Sequence, residues 1–69
     1  MTRVELVAPD ISCDHCIASI RKAVAKLPGV QWLAGDATAK TVTLEYDSQQ
    51  TALAAIEGAM AAEGYPVAS

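Results

Sequence analysis

Two hydrophobic periods alternate along this chain, and the switches between them mark its elements. Residues 3–8 carry Val4, Leu6 and Val7 in a short, roughly alternating run, which predicts a first strand. Ala8-Pro9-Asp10-Ile11-Ser12 breaks it into a loop. From Asp14 to Leu27 the period turns helical: Ile17, Ile20, Val24 and Leu27 form one apolar stripe. Arg21, Lys22, Ala25 and Lys26 take the other side. Asp14 suits an N-cap or a first-turn acid, and Lys26 suits the last turn. Pro28-Gly29 ends the helix, because proline cannot continue it and glycine accepts the left-handed backbone beyond it.

Val30 to Gly35 reads as a second strand, Asp36-Ala37-Thr38-Ala39 as a turn, and Lys40 to Tyr46 as the cleanest strand in the chain. Val42, Leu44 and Tyr46 point one way there, and Thr41, Thr43 and Glu45 the other. Two strands joined by so short a turn make an antiparallel hairpin. With Leu33 facing the helices, Trp32 is expected on the open sheet face, across from Thr41 or Thr43. Asp47 or Ser48 is expected to cap a second helix reaching Glu63, with Leu53, Ile56 and Met60 as its stripe. Gly58 weakens its middle by about 1 kcal/mol relative to alanine. Gly64 suits the C-cap, and residues 65–68 read as a short last strand that Pro66 confines to an edge. The order β-α-β-β-α-β predicts an α+β, ferredoxin-like fold, with a four-stranded antiparallel sheet covered on one face by two helices.

Length sharpens this picture. The 69 residues have room for a single domain over 1–69, with a small core. A chain of this size favours a binding or carrier module over an enzyme with a deep cleft. A net charge of −3 gives no basic footprint for nucleic acid. Neither a signal peptide nor a membrane-spanning run is evident, so the expected setting is cytoplasmic, where thiols stay reduced.

The candidate chemistry is Cys13-Asp14-His15-Cys16, a C-x-x-C pair where a loop enters a helix. These are the only two cysteines in the chain. Thiolate is both the nucleophile and the metal ligand, and a helix N-terminus stabilises it. Cys16 falls in or near the first turn and Cys13 in the loop, which makes Cys13 the more exposed and the expected leader of transfer. In a reducing setting such a pair is more often metal-binding or catalytic than a structural staple. Two sulfurs suit soft Cu(I), whereas a structural Zn²⁺ site wants four ligands.

Four features in order resemble one family. They are Ile11-Ser12-Cys13-Asp14-His15-Cys16, then Leu27-Pro28-Gly29-Val30, then Val42-Thr43-Leu44-Glu45-Tyr46-Asp47, and finally Gly64-Tyr65. Together they span nearly the whole chain and resemble a heavy-metal-associated domain of the small bacterial copper-chaperone type. Ile11 stands where that family carries methionine, a departure expected to alter loop packing more than metal binding. The resemblance implies Cu(I) carriage with Cys13 and Cys16 as ligands, and Tyr65 near the metal loop. It also implies delivery to the metal-binding domain of a heavy-metal P-type ATPase, with a metal-responsive repressor as another partner. It implies no enzyme activity and no membrane insertion. The apo chain is expected to be a monomer, with a metal-bridged dimer as the alternative state.

Several residues carry two readings each. His15 could be a third ligand, a bridge in a dimer or a modulator of the thiolates; the plainer reading is a loop histidine in solvent. Asp14 caps the helix or repels anionic competitors. Tyr65 shields the loop or simply packs at the domain edge. Met60 belongs to the core. Arg21 and Lys22 offer a docking face to an acidic partner or form an ordinary solvated surface. The rival functions are a Zn²⁺, Cd²⁺ or Hg²⁺ carrier of the same fold and a thiol–disulfide oxidoreductase. The second is disfavoured because no aromatic residue immediately precedes Cys13 and no proline is placed to face the site.

Overall fold

Strict alternation makes Thr41–Tyr46 the centre of the molecule. Val42, Leu44 and Tyr46 are buried on one face while Thr41, Thr43 and Glu45 are half-exposed on the other. In a computed structural model, which describes residues 1–68, the elements run β1 (Thr2–Val7), α1 (Asp14–Val24), β2 (Val30–Asp36), β3 (Thr41–Tyr46) and α2 (Leu53–Ala62). The strand order is β1-β3-β2, antiparallel throughout. β1 pairs with β3 from Thr2 opposite Tyr46 to Val7 opposite Thr41. Both helices cover the buried face. Ile20 and Val24 of α1 and Ile56 and Met60 of α2 join Leu6, Val42 and Leu44 in one core.

Four expectations change. Among the described residues the sheet has three strands, not four. Residues 65–68 run beside β1, but Ala68 N–H to the Val7 carbonyl (2.8 Å) is their one backbone bond to it. Pro66 has no N–H to offer, and the Tyr65 N–H is already committed to the end of α2. Second, α1 ends at Val24 and Leu27 closes a following turn onto the Val24 carbonyl. Third, Asp47 caps no helix. Its carboxylate holds a turn by accepting from the Gln49 N–H at 3.0 Å and the Gln50 side-chain amide at 3.0 Å. The N-cap of α2 is Ala52, four residues beyond Ser48, and the helix starts at Leu53.

The fourth change concerns Trp32. The pairing of β2 with β3 slips between Trp32 and Ala34, so Trp32 stands opposite buried Leu44. Directly opposed residues share a face. The indole therefore packs under α1 against the core, not on the open sheet face. Its ring and the Ile17 side chain meet over Gly35, where an added Cβ would lie 2.8 Å from the ring and 2.6 Å from Ile17. A β-bulge has no signature in alternation alone, which is why sequence pattern assigns Trp32 to the wrong side.

The end of α2 aims the last segment. Gly64 adopts φ +93°, its N–H bonds the Ala61 carbonyl (3.0 Å), and the Tyr65 N–H bonds the Met60 carbonyl (2.9 Å). This paired pattern is a Schellman cap, which glycine enters without a Cβ penalty. It turns the chain so that Tyr65 faces the first turn of α1.

Candidate metal centre

The site is built where the loop after β1 meets α1. Ile11 is fully buried and anchors that loop in the core. Its N–H bonds the Ala8 carbonyl (3.0 Å), and its carbonyl accepts from the Lys40 ammonium. Cys13 then takes the N-cap with extended backbone (φ −161°, ψ 176°), and its carbonyl accepts the Cys16 N–H at 3.0 Å. Asp14 is therefore a first-turn acid and not the cap. Cys16 lies in the first turn, beside the unpaired N–H groups of the helix start.

The two sulfurs sit 4.0 Å apart as free thiols. Cys16 is buried and Cys13 is exposed, as their positions in the sequence suggest. Donors converge on Cys16. The Tyr65 hydroxyl contributes most to lowering its pKa, followed by the backbone and hydroxyl of Ser12 and the backbone of Cys13. The Ser12 Oγ lies 3.6 Å from the sulfur. Burial works the other way, yet the thiol falls from an ordinary 9.0 to about 6. The reciprocal effect falls on Tyr65, whose pKa rises because its hydroxyl interacts with Cys16 and is partly desolvated there.

The structure brings Cys13, Cys16 and Tyr65 together and leaves His15 and Asp14 out. Both are exposed, and among the described residues no three His, Cys, Asp or Glu side chains gather as a metal cage. Ser12 and Lys40 are parts of the site that pattern reading misses. Ser12 could be suspected from its place beside Cys13. Lys40 lies 29 residues from its partner Ile11, and no local signal joins them.

Beyond the site, α1 presents an open groove whose apolar lining is Ile17, Ala18, Ala25 and Trp32. Arg21 and Lys22 add basic groups to its lining, and Asp14, next to Cys13 in sequence, adds an acid. Among the described residues no helix is long and apolar enough to cross a membrane.

Known proteins are similar to this chain in sequence and in fold. The family model for the heavy-metal-associated domain matches residues 6–66. The copper chaperone CopZ of Staphylococcus haemolyticus is 33% identical over 57 residues, covering 83% of this chain and 84% of that protein. The copper chaperone Atx1 from Synechocystis PCC6803, solved in its Cu2 form, is 29% identical with a TM-score of 0.70, covering 94% of this chain and 98% of that one. A CopZ metallochaperone structure superposes with a TM-score of 0.90 at 24% identity, covering 97% of this chain and 100% of that one, which speaks to the fold alone.

Proposed function

We propose a function from one premise: the chain belongs to the heavy-metal-associated domain family. It is a carrier that holds one Cu(I) between Cys13 and Cys16 and passes it to a partner by ligand exchange. The observation that carries this reading is the asymmetric sulfur pair, one buried and surrounded by donors, the other exposed, 4.0 Å apart.

The donor set favours a soft monovalent ion. Two thiolates satisfy Cu(I), while a structural Zn²⁺ site needs about four ligands. The described residues offer no third or fourth. An ion about 2.3 Å from each sulfur, a usual metal–thiolate length, would see the pair at an angle of roughly 120°. Such an angle leaves one side open to an incoming thiolate. A partner sulfur can bind copper there before the Cys13 bond breaks, and the metal stays Cu(I) throughout. Cys13 leads this exchange because it is accessible; Cys16 holds on because its thiolate is stabilised.

The partner in this reading is the metal-binding domain of a heavy-metal P-type ATPase. An acidic face on it would meet Arg21 and Lys22 beside the groove. Contacts of this kind are fast, weak and salt-sensitive, as a carrier requires.

An anaerobic Cu(I) titration of the reduced protein against a chromophoric chelator tests the reading, with Zn²⁺ in a parallel cell. One tightly held Cu(I) per chain is expected, lost in Cys13→Ser and Cys16→Ser and kept in His15→Ala. Tighter Zn²⁺ than Cu(I) would overturn the copper assignment. Half-stoichiometric binding with a shift to dimer would replace the one-chain site by a metal bridge.

A further inference from the structure

Lys40 is an odd residue for the position it occupies. It is half-buried and holds φ +60°, the left-handed region that costs any residue with a Cβ. It lies between the β2–β3 turn and β3, where glycine or asparagine would be the relaxed choice. What the strained backbone achieves is visible at both ends of the residue. Its carbonyl accepts the Ala8 N–H at 2.9 Å, which fixes it beside the start of the metal loop. Its ammonium donates to the Ile11 carbonyl, inside that loop.

The Ile11 carbonyl and the Ser12 N–H belong to one peptide unit. That unit is trans, since no peptide bond among the described residues is cis. In a trans peptide the C=O and N–H point in opposite directions. With the oxygen held toward Lys40, the Ser12 N–H is turned to the opposite edge of the peptide unit. Ser12 Oγ lies 3.6 Å from the Cys16 sulfur, so the residue that carries this N–H already touches that atom. Burial of the Ile11 side chain removes the freedom to rotate out of this orientation.

We propose that Lys40 is a positioning residue of the metal loop. It holds the Ile11–Ser12 peptide plane so that the Ser12 N–H is presented to the Cys16 sulfur. A charged donor on the carbonyl also polarises the peptide and strengthens the N–H bond on its other side. The β2–β3 hairpin thereby sets how well the loop grips its metal without touching the metal. Outer hydrogen-bond partners of metal ligands act in this way elsewhere, and losing one weakens metal affinity by roughly 10–100-fold.

This inference rests on the copper reading above, and its test separates the two. The full chain is compared with Lys40→Met and Lys40→Arg by Cu(I) competition titration and by NMR hydrogen exchange at the Ser12 amide. Methionine keeps the stem and the backbone strain but removes the donor. The expected result for Lys40→Met is Cu(I) affinity on the order of tenfold weaker and faster exchange at Ser12, both recovered in Lys40→Arg. Failure of the wild type to bind Cu(I) sinks the copper reading whatever Lys40 does. Normal wild-type binding with unchanged affinity in Lys40→Met overturns the Lys40 role. So does a loss of affinity with no change at Ser12, or one that arginine does not recover, because general destabilisation would explain either. Should Lys40→Met not fold, the wild-type amide decides: rapid exchange at Ser12 overturns the role, and protection retained in Lys40→Arg supports it.

Discussion

The two ends of this molecule solve the same backbone problem in opposite ways. At the far end of α1, Pro28 and Gly29 meet the turn after β3. The buried Thr51 hydroxyl donates to the Pro28 carbonyl, the Asp47 N–H bonds the Gly29 carbonyl at 3.0 Å, and Asp47 holds Gln49 and Gln50. Each donor there ends on a protein oxygen. At the near end, Ser12 and Tyr65 act on the Cys16 sulfur and lower its pKa, and Cys13 is left exposed. One end uses its polar groups to close the structure. The other gathers them around an atom that can give its lone pairs to something else.

That contrast predicts that stability and metal affinity can be changed separately. The largest effect belongs to Gly29→Ala. The residue has φ +74°, and a Cβ would lie 3.1 Å from the Asp47 Cβ and 3.2 Å from Gln50. Strain of this kind costs about 2 kcal/mol. Thermal melting should fall by roughly 10 °C, at about 4–8 °C per kcal/mol for a domain this small. Cu(I) affinity in the folded protein should be unchanged. A matching loss of affinity would show that the two ends are one cooperative unit and break the comparison.

Thr51→Val comes next. It leaves the Pro28 carbonyl without its donor at a cost of about 1–2 kcal/mol. Denaturant unfolding should show a lower midpoint with an unchanged slope, again without loss of Cu(I) binding.

The finest probe is pH. The folded Cys16 pKa of about 6 lies below its ordinary 9.0. Between those values the unfolded chain holds a proton that the folded chain has released, so apo stability rises with pH across that window. The contribution is fully present above about pH 9 and is lost as pH falls through about 6. The far end answers in a different range. Asp47 is held below its usual 3.8, first by the Gln50 amide and then by the Gln49 N–H. Its contribution is present above that value and disappears only in stronger acid. Thiolate absorbance of the apo protein should show a transition near pH 6 that moves upward in Tyr65→Phe. An unmoved transition would mean that Tyr65 merely packs beside the site.

Much of the molecule is legible without coordinates because its signals are local. The stripe Ile17, Ile20 and Val24 specifies α1, the alternation of Val42, Leu44 and Tyr46 specifies the central strand, and Pro28-Gly29 stops a helix. The spacing of Cys13 and Cys16 at a helix start already implies two sulfurs on one side of a turn. Errors fall where a local pattern competes with a distant partner. Asp47 looks like a helix cap, but it is spent on a turn against Gly29 and Gln50. Residues 65–68 look like a strand, but Pro66 withholds a donor.

By itself, then, the sequence determined the helices, the hairpin and the identity of the two thiols. Periodicity and side-chain chemistry act within a few residues, and the chain displays both openly. Only the tertiary structure decided that Tyr65 acts on Cys16, that Trp32 lies under α1 and that Lys40 reaches Ile11. Those outcomes depend on a bulge, a Schellman cap and a contact across 29 residues. Each is a choice among arrangements that local pattern allows equally, and packing of the whole chain around one small core selects among them.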